Sequence, residues 1–208
     1  MDFSSSLLVV AVGSANVLGV GMLVPQTGRI LRNRRLDGVS ADWIGMGVAV
    51  NSGWLLYAWG AEVWGLIGVS LGALALYLAM AAGARRLDRL LFARARTTAL
   101  VVLNVLGWAA AIGGVDALGL ALAGLFTVQF APAAWTAWTS DTVGGISPGT
   151  WLLGLAEAVI WAGYGLAIGD QALTLGGSGA TAMSALILLR LWRGPTQHHR
   201  SPLGSAFS

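Results

Sequence analysis

Residues 25–57 read PQTGRILRNRRLDGVSADWIGMGVAVNSGWLLY, and residues 132–164 read PAAWTAWTSDTVGGISPGTWLLGLAEAVIWAGY. At a constant offset of 107 residues, without a gap, Pro25 falls on Pro132, Gly38-Val39-Ser40 on Gly145-Ile146-Ser147, Trp54 on Trp161 and Tyr57 on Tyr164. Proline, tryptophan and tyrosine are uncommon residues, so their coincidence at one spacing marks an internal repeat. Resemblance through composition alone would match leucine and alanine instead.

Composition places the chain in lipid. Of 208 residues, 56% are hydrophobic and 10% charged, with a mean hydropathy of +0.74, whereas a soluble domain carries roughly 25% charged residues. Thirty glycines agree with this, because glycine lets membrane helices approach closely. The absence of cysteine excludes disulfides, iron–sulfur clusters and thiol nucleophiles. All twelve basic residues are arginine, which excludes a retinal-type Schiff base and suggests a GC-rich bacterial genome, hence a plasma membrane. The pI near 10.2 does not indicate nucleic acid as a partner, since the arginines sit in short clusters between apolar spans, where topology accounts for them.

A helix crosses a bilayer with about 17–25 predominantly apolar residues. Such stretches lie near 6–24, 43–61, 64–83, 98–114, 117–135, 151–168 and 172–191. The short polar separators Gly60-Ala61-Glu62 and Gly169-Asp170-Gln171 predict antiparallel hairpins from spans two and three and from spans six and seven. The first span has no basic leader and is preceded by Asp2, so it reads as retained rather than as a signal peptide. Arg29, Arg32, Arg34 and Arg35 follow span one, and Arg85, Arg86, Arg89, Arg94 and Arg96 follow span three. Arg190, Arg193 and Arg200 follow span seven. With seven spans all of these share one side, opposite Asp2, Glu62, Asp116 and Asp170. The positive-inside rule then predicts the N-terminus outside and the C-terminus in the cytoplasm.

The expected fold class is therefore an all-α membrane protein with seven transmembrane helices. Two parallel three-helix bundles, residues 1–84 and 116–193, are joined by a basic loop and linker helix at 85–115, with a polar tail at 194–208 that contains His198-His199. Three is odd, so two such units joined directly would be inverted. The fourth helix turns the second unit back, relating the two by an axis along the membrane normal, an arrangement found in transporters. Asn104 in that helix either joins a polar pathway or bonds a neighbouring helix.

Pro25-Gln26, a basic loop, Gly38-Val39-Ser40 and Trp54-Leu55-Leu56-Tyr57 together resemble the PQ-loop family, which includes the SWEET sugar transporters. The second copy keeps Pro132, Gly145-Ile146-Ser147 and Trp161-Ala162-Gly163-Tyr164, so the resemblance covers nearly the whole chain in the full-length 3+1+3 form. It implies alternating access with hinges at Pro25, Gln26, Pro132 and Pro148. Two features depart from the family. Ala133 follows Pro132 where a second glutamine would stand, and the counterpart of Pro148 is Ala41, so the proline set is incomplete. Sugar-carrying relatives also pair the helix-2 tryptophan with an asparagine on the next helix; here those positions are Ser70 and Gly177, with Ser178 adjacent.

Polar residues within a membrane are costly and are functional candidates by default. Glu157 lies mid-span, with Trp161 at i+4 and Tyr164 at i+7 on one stripe. Asn51 precedes Trp54 by three and Tyr57 by six. If the tryptophan stripes face the pseudo-axis, Asn51 and Glu157 face each other across a central cavity. There Trp54 and Trp161 offer flat surfaces for sugar rings or cations, and Glu157 binds a cationic or hydroxylated solute or carries a proton. Trp59, Trp64, Trp108, Trp151 and Trp192 lie nearer span ends and read as interfacial anchors. Gln129 lines the same cavity or satisfies carbonyls freed by Pro132.

The expectation is a SWEET-like secondary transporter of a small polar, sugar-like solute, without a cofactor or metal. A proton-coupled amino-acid or cationic-solute carrier using Glu157 is the alternative within that class. A receptor of KDEL-receptor-like fold would bind ligand without flux, and a seven-helix vitamin carrier fits the motifs less well. An intramembrane enzyme is disfavoured because no embedded His, Cys or Asp cluster offers a nucleophile–base pair. The Gly68-x-x-x-Gly72 face serves homo-oligomerisation or packing within one subunit.

Overall fold

The computed structural model describes residues 3–36, 39–139 and 147–193. Gly38, Gly145 and Ile146, and the tail with its two histidines, lie outside the described residues. The described chain is helical: α1 (Phe3–Leu31), α2 (Ala41–Gly60), a 3-10 turn (Trp64–Leu66), α3 (Ile67–Leu87), α4 (Arg89–Val128), α5 (Ala131–Thr139), α6 (Pro148–Ile168) and α7 (Gln171–Trp192). Five helical stretches are long and apolar enough to cross a membrane, Ser6–Leu31, Trp64–Leu87, Arg89–Thr139, Pro148–Ile168 and Gln171–Trp192. Helix α2 has the length, but Asp42, Asn51, its tryptophans and its glycines dilute its hydropathy. It is instead well enclosed by protein, with Ile44, Val50, Trp54, Tyr57 and Ala58 all buried. Large apolar side chains cover the outside, including Val17 at 73% and Ile112 at 83% exposure, a surface suited to lipid rather than water.

Both hairpins predicted from the polar separators form, α2 against α3 and α6 against α7. Their turns are the same structure twice. Glu62 (φ 57°) and Gly169 (φ 75°) both occupy the left-handed region. Val63 N–H donates to Ala58 C=O at 2.9 Å, and Asp170 N–H to Gly165 C=O at 2.8 Å, the six-to-one bond of a Schellman cap. The preceding helix starts also match. The Ser40 side chain accepts from Trp43 N–H at 3.2 Å and the Ser147 side chain from Thr150 N–H at 3.4 Å. The serine of each Gly-x-Ser motif is thus a helix N-cap.

The stretch expected as two separate spans, 98–114 and 117–135, is a continuous helical run that bends sharply between them. Helix α4 runs from Arg89 to Val128 through two non-helical residues, Gly113 (φ −126°, ψ 15°) and Gly114 (φ 65°, ψ −151°). Gly114 holds a backbone geometry essentially restricted to glycine. Contacts along α2 show that the chain reverses there. Methyl groups added at Gly45, Gly53 and Gly60 would meet Ala95, Leu106 and Val115 in ascending order. Beyond the bend, Tyr57 lies on Gly119 and Gly53 faces Leu122, in descending order. The descending arm then breaks at Gln129-Phe130. Pro132 has no N–H to donate to the Val128 carbonyl, and the Phe130 N–H bonds Thr127 C=O at 3.2 Å in a tightened turn. Helix α1, by contrast, stays helical through Pro25 and ends at Leu31 rather than near residue 24.

Helix adjacency repeats as well. Among the described residues α1 and α2 each pack on α3, and not on each other. In the second copy α5, with the arm of α4 before it, and α6 each pack on α7. The copies meet where α1 lies on α6 and α2 on α4. Close approaches recur at the 107-residue offset: Gly72 meets Val20 and Gly179 meets Thr127, while Gly47 meets Tyr77 and Gly154 faces Ser184. The arginine-rich ends of α1 and α3 lie together, with Gly83 against Ile30 and Leu31. At that end Arg94 and Thr98 of α4 bond Asp42, just ahead of the apolar span of α2. The Arg94 guanidinium first, and the Thr98 hydroxyl next, hold the Asp42 carboxyl below the usual carboxylate range.

Candidate functional site

Three levels of polar and aromatic side chains lie between the two copies. At the acidic end a cavity of about 790 Å³ is bounded by Tyr57, Tyr164, Glu62, Asp116 and Asp170, with Gln171 beside them. Tyr57 Oη donates to Asp170 Oδ2 at 2.7 Å. The other oxygen of that carboxylate accepts from Leu173 N–H at 2.8 Å and so caps α7. One carboxylate therefore joins a helix start in the second copy to a tyrosine of the first. The two tyrosines are exchanged between copies. Tyr57 lies on Gly119 beside Ala172, and Tyr164 lies by Gly65 beside Val12, with all three residues related by the same offset. The carboxylate is not duplicated, because Val63 stands where Asp170 has its counterpart.

One turn deeper, Trp54 and Trp161 are both buried in a single apolar cluster with Ala15, Val50, Leu118 and Leu122. Trp54 meets Tyr57 edge-on at 5.6 Å and Phe126 of the other copy at 6.4 Å. Phe130 and Trp151 continue the aromatic file toward the arginine-rich end, at centroid separations of 5.4 and 6.0 Å. Such edge-to-face pairs add about 0.5–1.5 kcal/mol each beyond area burial.

The third level contains Glu157, which is buried. Its Oε1 accepts from the Trp161 indole N–H at 3.3 Å, the hydrogen bond it has among the described residues. A methyl on Gly19 of α1 would collide with this oxygen and with Val69 of α3. Glu157 thus fills a notch left by a glycine, on the seam between copies. At the equivalent place the pair is Val50 and Phe126, both in the apolar cluster, so one seam is apolar and the other carries a carboxyl. Asn51 is half-buried and donates to Gly47 C=O on its own helix at 2.8 Å; no hydrogen bond joins it to Glu157.

The remaining candidates separate. Ser70 is buried in α3. Gly177 packs against the α6 backbone at Ala158 and Ala162, and Ser178 is exposed. Pro25 is exposed inside α1 with Gln26 half-buried, and Pro132 is the second residue of α5. Pro148 is the first residue of α6, where its missing N–H is an orphan in any case. Gly19, Phe126 and the Tyr57–Asp170 bond were not anticipated. Tyr57 carried a repeat signal and Asp170 a turn signal, but nothing in either indicates a contact across 113 positions.

Fold and site together define a class: an all-helical, multi-pass membrane protein whose described core is duplicated, with an aromatic and carboxylate seam between the copies. Compared with known proteins, the sequence matches no family model and no curated protein.

Proposed function

We propose that this chain is a SWEET-like secondary transporter of the PQ-loop type, moving a small polar, sugar-like solute by alternating access. In this reading α1–α3 form the first bundle, residues 89–112 are the linker helix, and the arm 115–128 with α5, α6 and α7 forms the second. The acidic end faces outward and the arginine-rich end the cytoplasm, in a plasma membrane. The observation that carries the proposal is the exchange of Tyr57 and Tyr164 between copies, with Tyr57 bonded to Asp170 above the buried tryptophan pair. Two bundles joined along two seams, α1 on α6 and α2 on α4, can rock about them, and a solute site between repeats is where such folds place it. The two buried indoles, one from each copy, and the resemblance to sugar carriers favour a ring-shaped polar solute.

A second reading is favoured by one observation, the carboxyl of Glu157 enclosed at the seam against Gly19. Placed there, Glu157 carries a proton through the cycle or binds a cationic solute. Uptake into proteoliposomes, with a panel of sugars and amino acids across pH, separates the two. Sugar flux that is pH-independent and survives Glu157→Gln is expected of the facilitator. Flux whose pH dependence disappears in Glu157→Gln assigns proton coupling to that carboxyl. Binding without flux for every solute would instead favour a receptor and reject transport.

A further inference from the structure

We infer that the groove between the end of α3 and the start of α4 binds the phosphate-bearing headgroup of an anionic phospholipid. The groove measures about 940 Å³ and is lined by Ala82, Arg85 and Arg86 from α3 and by Arg89, Phe92 and Arg96 from α4. The spacing explains the convergence. Arg85 and Arg86 follow Ala82 by three and four residues, and Phe92 and Arg96 follow Arg89 by three and seven, so each set occupies one helical face. Between the sets Asp88 is extended (φ −147°, ψ 105°), which breaks the helix and turns the two faces toward a shared hollow.

Four like charges in one hollow repel each other unless an anion joins them. Among the described residues the chain supplies none, because no carboxylate pairs with Arg85, Arg86, Arg89 or Arg96. Asp88 is the nearest acid in sequence, but it accepts from Leu90 N–H at 2.9 Å and Leu91 N–H at 3.0 Å to cap α4. Asp42 is bonded by Arg94, which does not line the groove. Arg85 is held over the Phe92 ring at 5.9 Å, a cation–π contact that keeps one guanidinium at the wall. Arginines that serve topology need only reach water. Here they converge, uncompensated, with fork geometry suited to phosphate oxygens.

The location selects lipid over a free anion. The groove lies where two stretches long and apolar enough to cross a membrane, Trp64–Leu87 and Arg89–Thr139, meet, the level of the lipid headgroups on the proposed topology. Leu90 beside it is 83% exposed, an apolar shelf for acyl chains. A lipid with two phosphates, such as a diphosphatidylglycerol, matches four arginines better than one with a single charge.

The test is native mass spectrometry of the full chain released from phosphatidylcholine nanodiscs containing cardiolipin. Wild type is expected to retain cardiolipin, and R85Q/R89Q/R96Q to retain it at least tenfold less. R85K/R89K/R96K, which preserves charge but not the fork, should retain an amount between that of wild type and that of R85Q/R89Q/R96Q. R29Q/R32Q/R34Q removes the same charge from residues at the same end that do not line the groove, and should match wild type. The inference is overturned if wild type retains no lipid or if both glutamine triples lose it equally. It is also overturned if millimolar inorganic pyrophosphate displaces the lipid completely, which would make the groove a site for soluble anions.

Discussion

Glu157 stood out in the sequence because a lone carboxyl within an apolar span is expensive, and the structure puts it against the smallest available neighbour. Gly19 is one glycine among thirty, and nothing in its own neighbourhood in sequence distinguishes it. Only the crossing of α1 and α6 does, where Oε1 of Glu157 occupies the space a side chain at residue 19 would need. Gly19→Val should therefore destabilise the protein by about 1–3 kcal/mol through overpacking. Combining it with Glu157→Ala should recover the part of that loss due to the carboxyl, leaving the contact with Val69. Unfolding in micelles, read as a double-mutant cycle, checks this, and strictly additive losses would show that the notch is not shaped around the carboxyl. Gly177 illustrates the opposite case. Its neighbours are backbone atoms of α6, so it reads as a packing glycine, a distinction invisible in residue type.

At the scale of elements, the turns were legible and the long helices less so. Short polar separators between apolar runs can only be tight reversals, and both hairpins formed as expected. The α4 bend at Gly113-Gly114 falls at the boundary expected between the spans 98–114 and 117–135, whereas the break at Gln129-Phe130 and the continuation of α1 through Pro25 were not legible. The two hairpin turns also carry a testable asymmetry. The left-handed position is held by Gly169 in the second copy and by Glu62 in the first. A side chain there costs roughly 1–2 kcal/mol relative to glycine. Glu62→Gly is thus expected to raise stability by about 1 kcal/mol, less whatever the glycine adds to the freedom of the unfolded chain. A thermal midpoint that falls in detergent would mean that the Glu62 side chain contributes more at the cavity rim than its backbone costs.

For the whole molecule, the two copies are tied at the acidic end by the Tyr57–Asp170 bond, with no equivalent at Val63. A hydrogen bond to a charged group contributes about 1.5–3 kcal/mol, and a change of one or two kcal/mol shifts a two-state population by a factor of roughly 5–30. Tyr57→Phe should shift the protein toward an open acidic end. The chain contains no cysteine, so a single Ala58→Cys, buried one residue along from Tyr57, reports the change through labelling by an impermeant maleimide. Labelling should rise several-fold in the Tyr57→Phe background; an unchanged rate would show that the bond does not hold the end closed. The sequence by itself determined that the chain is helical and apolar, that it is duplicated at 107 residues, and that on a seven-span reading its arginines share one end. Those features follow from local periodicity, composition and self-similarity. Only the tertiary structure decided which copy's tyrosine meets which copy's carboxylate, which glycine receives Glu157, and which arginines share a groove. These are contacts between residues far apart in the chain, set by how helices cross, and helix crossing leaves no periodic trace in the sequence.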